Sequence, residues 1–148
     1  AEPRGMTLAF EFVGYPNCSV NTFGQAYDIV KDVNRKSVGV VLDCFHFHAM
    51  GSRFEHLEAA DASKIFILHL DDSEDLPVGA ARDNNRLMPG EGAVDLPRIL
   101  STLKRLGYDS MISIELFRPE YWDWPDEENI RVSYEKTCET IKPYFPIG

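Results

Sequence analysis

The stretch VGVVLDCF, Val38–Phe45, is an apolar run broken by a single carboxylate, Asp43, near its end. It is rich in β-branched residues and has the length of a strand. Its near-continuous apolarity suits a strand covered on both faces, as in a parallel sheet. Three more runs share this build: Thr7–Val13 (TLAFEFV), Ile65–Leu70 (IFILHL) and Met111–Phe117 (MISIELF).

Helical patterns separate the runs. From Thr22 to about Asn34, Phe23, Ala26, Tyr27, Ile29, Val30 and Val33 share one broad face, with Asn21 or Thr22 able to cap the start. A shorter helix is predicted over Ser52–Ala60. Another begins at Asp95, with Leu96, Ile99, Leu100, Leu103 and Leu106 at helical spacing and Gly107 just past its end. The last runs from Pro125 or Asp126 to Tyr144, with Pro125 suited to a first turn. The order β-α-β-α-β-α-β-α predicts right-handed parallel βαβ units. The connection Asp71–Val94 holds Pro77, Gly79, Pro89, Gly90 and Gly92 and is long enough to expect a functional loop.

With 148 residues the chain suffices for a single domain over 1–148. It falls short of the ~250 residues of a complete (β/α)8 barrel. Its net charge of -9, from 15 Lys+Arg against 24 Asp+Glu, repels phosphate backbones and anionic bilayers. No nucleic-acid or membrane partner is expected. Cys18, Cys44 and Cys138 form no CxxC pair, which points to a reducing, cytoplasmic setting. No apolar run approaches ~18 residues, and the start has no signal-peptide layout. Ala1–Gly5 reads as the end of a helix and a turn, as though the chain were entered midway.

Each strand run carries an ionisable residue near its end: Glu11, Asp43, His69 and Glu115. In a parallel sheet the four C-termini share one edge, which in barrels is the active-site face. One such glutamate alone would read as a solvated rim residue. Three carboxylates converging in an apolar setting repel one another, and burying unpaired charge costs several kcal/mol per group. A divalent cation resolves that conflict. Three oxygens and one imidazole suit Mn²⁺ first, with Mg²⁺, Co²⁺ or Zn²⁺ also compatible. Past Asp43, a turn can bring His46 round toward the site, as a substrate contact or as a packed histidine; His48 is the weaker candidate. Arg86 opens RLMPGEG, a turn that presents a cation and backbone N–H groups able to meet an anion. Arg118 follows Glu115 by three positions. Both arginines are either substrate contacts at the mouth or solvated rim residues.

The segments LAFEFVG (8–14), VLDCFHFHAMGS (41–52), FILHLDD (66–72), RLMPGEGAVDL (86–96) and SIELFRPEYW (113–122) resemble the second half of the xylose-isomerase-like, or sugar-phosphate isomerase/epimerase, barrel superfamily. Within it the resemblance runs to the inosose isomerases of inositol catabolism and covers essentially the whole chain. It implies an α/β fold: a parallel (β/α)4 half-barrel, strands five to eight of a (β/α)8 TIM barrel. It implies one metal ion on Glu11, Asp43, His69 and Glu115, with His46 as the substrate-contacting histidine of a D-x-x-H motif. Arg86 matches a substrate-contacting arginine of related ketose epimerases. The three-metal DNA-repair nucleases of the superfamily carry an extra D-x-H pair in the long loop. Asp71–Val94 has none, which argues against a nuclease.

The implied reaction interconverts 2-keto-myo-inositol with a regioisomeric inosose, or acts on a similar polyol or keto-sugar. A proton moves through an enediolate, with Glu11 and Glu115 as base and acid in either order; a hydride shift stays open. The alternatives are a ketose 3-epimerase and an inactive fragment lacking an N-terminal half-barrel. Two open edge strands, Thr7–Val13 and Met111–Phe117, predict a homodimer or association with a missing N-terminal half.

Overall fold

The computed structural model describes residues 2–146. In chain order its strands are β1 (Leu8–Glu11), β2 (Val38–Asp43), β3 (Ile65–His69), β4 (Asp72–Ser73), β5 (Arg86–Leu87) and β6 (Met111–Ser113). Its helices are α1 (Phe23–Val33), α2 (Cys44–Ala49), α3 (Phe54–Glu58), α4 (Leu96–Leu106), α5 (Pro119–Trp122) and α6 (Asp126–Ile141). Four strands make one sheet in the order β1-β2-β3-β6, and every pairing in it is parallel.

The alternation of side chains sorts the sheet into two faces. Phe12, Val40, Leu42, Leu68 and Leu70 point to one side and pack with Phe23 and Val30 of α1, Leu57 of α3, and Ile99, Leu100 and Leu103 of α4. These form the core, and every one of them is essentially fully buried. The opposite face carries Glu11, Val41, Asp43, Ile67 and His69. It opens toward β6, where Met111 is 62% exposed.

Local chemistry sets the helix ends. Gln25 Oε1 accepts the backbone N–H groups of Asn21 and Thr22 at 2.9 and 3.2 Å, closing the first turn of α1. Asp95 caps α4 by accepting the Arg98 N–H at 3.1 Å, and Gly107, at φ 76°, ends that helix in the left-handed region.

Several elements depart from expectation. β1 stops at Glu11 and β6 at Ser113, so Glu115 lies in the loop beyond its strand. β2 does not run on to Phe45: α2 starts at Cys44, because the Asp43 carboxylate accepts the His46 N–H at 2.7 Å and turns the chain into a helix. The helix expected over Ser52–Ala60 is the shorter α3, and α6 ends at Ile141 rather than Tyr144. Within the long connection, β4 and β5 pair antiparallel. Ala1 lies outside the described residues; Glu2–Arg4 forms a single 3-10 turn. No helix among the described residues is long and apolar enough to cross a membrane.

Candidate metal centre

Register explains why four separate segments meet. Glu11 pairs with Val41, and Asp43, two residues on, points the same way. Asp43 pairs with His69, and His69 with Ser113; Glu115 again lies two residues further. Period-two alternation therefore puts all four side chains on the sheet face away from the helical core, at the strands' C-terminal ends.

One ligand atom from each of Glu11, Asp43, His69 and Glu115 lies within 4.8 Å of the others. His69 Nδ1 is 3.2 Å from Glu11 Oε1, 3.4 Å from Glu115 Oε2 and 3.7 Å from Asp43 Oδ2. Yet Glu11 Oε1 and His69 Nδ1 are buried and have no aligned hydrogen-bond partner. Close approach without alignment is what donors directed at a common point produce. Ligand atoms about 2.0–2.2 Å from one ion lie roughly 3 Å apart at right angles. The residues thus fit a divalent cation by spacing, donor type and orphaned atoms.

The electrostatics agree with a site built around positive charge. Burial works to raise the Asp43 carboxyl, but His69 and Arg86 override it and hold it at about 2. The neighbouring carboxylates of Asp43 and Glu11 push His69 up to about 10. Burial lifts Glu115 above its usual range against the pull of His69 and Arg86.

Arg86 sits behind this cluster. Its side chain is 1% exposed, so it is no solvated rim residue. Nη1 donates to Asp43 Oδ2 at 2.8 Å and to Asp71 Oδ2, and Nε donates to Asp83 Oδ1 at 3.0 Å. The guanidinium also lies over the Phe45 ring at 4.6 Å. Its donors are committed to protein groups, the carboxylates of Asp43, Asp71 and Asp83 and the ring of His46, rather than to an open mouth. Arg118 is brought elsewhere: Nη1 bonds Glu74 at 2.6 Å and Nε lies 3.3 Å from Glu120, tying the β4–β5 hairpin to the loop before α5.

His46 is drawn in by α2. It is buried, with Nε2 3.2 Å from Arg86 Nη2 and its ring edge-on to Tyr15 and Phe45. Arginine can only donate, so Nε2 accepts. Burial depresses the His46 pKa, and a neutral ring then carries its proton on Nδ1, which has no partner. His48, two residues on in α2, contacts none of these residues by hydrogen bond or ion pair among the described residues.

In the PGEG turn the Glu91 N–H goes to the Met88 carbonyl at 3.1 Å, and the anion that the Gly90 N–H meets is the protein's own Asp72. Asp72 takes the Gly90 N–H at 3.1 Å and the Val94 N–H at 2.9 Å. Asp71 and Asp72 were the residues that strand-end reasoning missed. Asp71 is fully buried, accepts the Phe45 N–H at 2.8 Å, and is pushed well up by burial and by Asp43. The signal was there: two consecutive aspartates directly after the strand that bears His69.

A four-stranded parallel sheet with a carboxylate–imidazole cluster at its C-terminal edge points to the class, and comparison with known proteins agrees. The chain belongs to the xylose isomerase-like TIM barrel family, whose model matches residues 1–139. It is 57% identical to the inosose isomerase of Bacillus licheniformis over 99% of its length and 53% of that protein's. It is 54% identical to the inosose isomerase of Bacillus subtilis over 98% of its length and 52% of that protein's. Among solved structures, the 1.8 Å crystal structure of the IOLI protein with a binding zinc atom superposes with a TM-score of 0.98. The two are 53% identical, and the match covers 99% of this chain and 53% of that one. The chain spans about half the length of the curated relatives it matches.

Proposed function

We propose that this chain is the metal-holding half of an inosose isomerase, corresponding to strands five to eight of the barrel. It would interconvert 2-keto-myo-inositol with a regioisomeric inosose. The observation that carries the reading is the cluster of Glu11, Asp43, His69 and Glu115, with two buried atoms left without partners. The identity to inosose isomerases supports the choice of substrate.

In this reading the four side chains hold one divalent ion. The donor set suits Mn²⁺ or Zn²⁺, and the zinc atom of the IOLI structure supports the latter. An ion held there would supply Lewis-acid polarisation of the substrate carbonyl. The chain's own residues do the rest. Glu11 and Glu115 flank the open face and are each about one-third exposed, so substrate can reach them. One takes the proton from the carbon beside the carbonyl, and the other returns a proton to the former carbonyl carbon. His46 presents its Nδ1–H to a ring hydroxyl, held in that tautomer by Arg86. Arg86 is a positioning residue: it fixes Asp43 and His46 together. The three cysteines are free, in keeping with a cytoplasmic setting.

Incubation with 2-keto-myo-inositol in D₂O, followed by NMR, tests the reaction. A regioisomeric inosose carrying solvent deuterium, with turnover lost in Glu115→Gln, is the expected result. A C3-epimerised ketose from a hexulose substrate, with inosose untouched, would replace this reading with the epimerase.

A further inference from the structure

We propose that Arg118 is a positioning residue for Glu115, acting as one half of a two-arginine clasp between the β4–β5 hairpin and the segment beyond β6. The inference rests on the metal-site reading and deepens it by naming what aims one of the four ligands. Glu11, Asp43 and His69 stand on strands, where register fixes their direction. Glu115 does not: β6 ends at Ser113, and the Leu70 N–H bond to the Ser113 carbonyl, at 2.7 Å, falls two residues short of it. Residues 114–118 are irregular backbone. Two arginines hold that segment, one from each direction. Arg86, on β5, donates Nη1 to the Glu115 carbonyl at 3.2 Å. Arg118, on the segment itself, reaches back to the hairpin, where Nη1 donates to Glu74 Oε1 at 2.6 Å and approaches the Asn84 carbonyl at 3.4 Å. The hairpin is cross-linked at that point: the Glu74 N–H bonds the Asn85 carbonyl at 3.1 Å, and Glu74 Oε2 accepts from Asn85 Nδ2 at 3.0 Å. Asn85 directly precedes Arg86, so Arg118 grips the hairpin beside the residue that grips Glu115. Pro119 opens α5 and keeps Arg118 extended, at φ −74° and ψ 121°. The span between is therefore pinned at Ser113 by the sheet and at Arg118 by the clasp, with Glu115 inside it. A partly exposed ion pair such as Arg118–Glu74 adds little to stability. Its worth here is direction: without it, the bond from Arg86 alone holds the Glu115 backbone to the hairpin.

Competition for Zn²⁺ against a chromophoric chelator tests the clasp, with Zn²⁺ alone as the probe and urea unfolding alongside. Arg118→Ala and Glu74→Ala cut the same bond from its two ends. Each should weaken Zn²⁺ binding about 10–100-fold, the range for groups that orient a metal ligand, while the urea midpoint stays near that of the unmodified protein. In a Glu115→Ala background, Arg118→Ala should weaken binding no further, because the ligand it aims is gone. Full affinity in both single variants would overturn the inference and leave the metal reading standing. So would an equal fold-loss with and without Glu115, or an affinity loss that only follows a fallen urea midpoint in both variants. An unmodified protein that binds no Zn²⁺ would overturn the metal reading and the clasp with it.

Discussion

Arg86 Nη1 lies 2.8 Å from Oδ2 of Asp43, and the same nitrogen is shared with Asp71. Both carboxylates are fully buried. Arg86 is thus the counter-charge that lets Asp43 stay ionised in the core of the site while its carboxylate faces His69. Residues that orient a metal ligand this way tune affinity without touching the ion.

Asp71→Asn should therefore lower divalent-metal affinity about 10–100-fold, the range seen when such supporting partners are removed. Competition against a chromophoric chelator reads this directly. Arg86→Lys should behave similarly, since a single ammonium cannot reach Asp43, Asp83 and His46 at once as the three nitrogens of the planar guanidinium do. Wild-type affinity in both variants would show that the buried ion pairs serve folding alone.

Removing Arg86 altogether is a different perturbation. Arg86→Ala strands Asp43 and Asp71 without their cation and should cost about 3–5 kcal/mol of stability. Urea unfolding at neutral pH measures it. A loss below about 1 kcal/mol would mean the carboxylates find other partners.

Gly92 is held by space rather than by backbone angle. A Cβ there would collide with the Ser73 carbonyl and stand 2.5 Å from Asp72 Oδ1. Gly92→Ala should break the Asp72 bonds to Gly90 and Val94 and destabilise the chain by about 1–3 kcal/mol, as overpacking does. Hydrogen exchange at the Val94 amide should rise sharply; unchanged protection there would contradict the packing argument.

Tyr108 gives a pH signature away from the metal cluster. Its hydroxyl donates to the Met111 carbonyl at 2.5 Å, and burial pushes its pKa from 10.0 up to about 12. The fold holds this proton more tightly than the unfolded chain does. Its stabilisation is complete below pH 10 and is lost as pH rises through about 12. Urea midpoints taken across that window should fall more steeply in the wild type than in Tyr108→Phe. Parallel curves would remove Tyr108 from the alkaline transition.

The sheet was legible in the sequence because strands buried on both faces leave uninterrupted apolar runs, as Val38–Leu42 does. The four candidate ligands were legible because each interrupts or closes such a run. What escaped had non-local causes. Nothing in DCFHFH announces that Asp43 will cap α2 as well as face His69; that depends on its carboxylate having two ends in use. Arg86 and Asp71 are fifteen residues apart and meet because β4 and β5 fold the long loop back on itself, a two-residue pairing too short to leave a periodic trace. Arg118 looked like a mouth residue by spacing from Glu115, but Glu74 captured it across that same hairpin.

In the proposed function Glu11, Asp43, His69 and Glu115 together hold one divalent ion. Equilibrium dialysis against Mn²⁺ and Zn²⁺, followed by elemental analysis of the protein, tests it most directly, with Asp43→Asn and His69→Ala alongside. One ion per chain is expected in the unmodified protein, and its loss in both variants while circular dichroism stays the same. Equal metal content in all three proteins would contradict it.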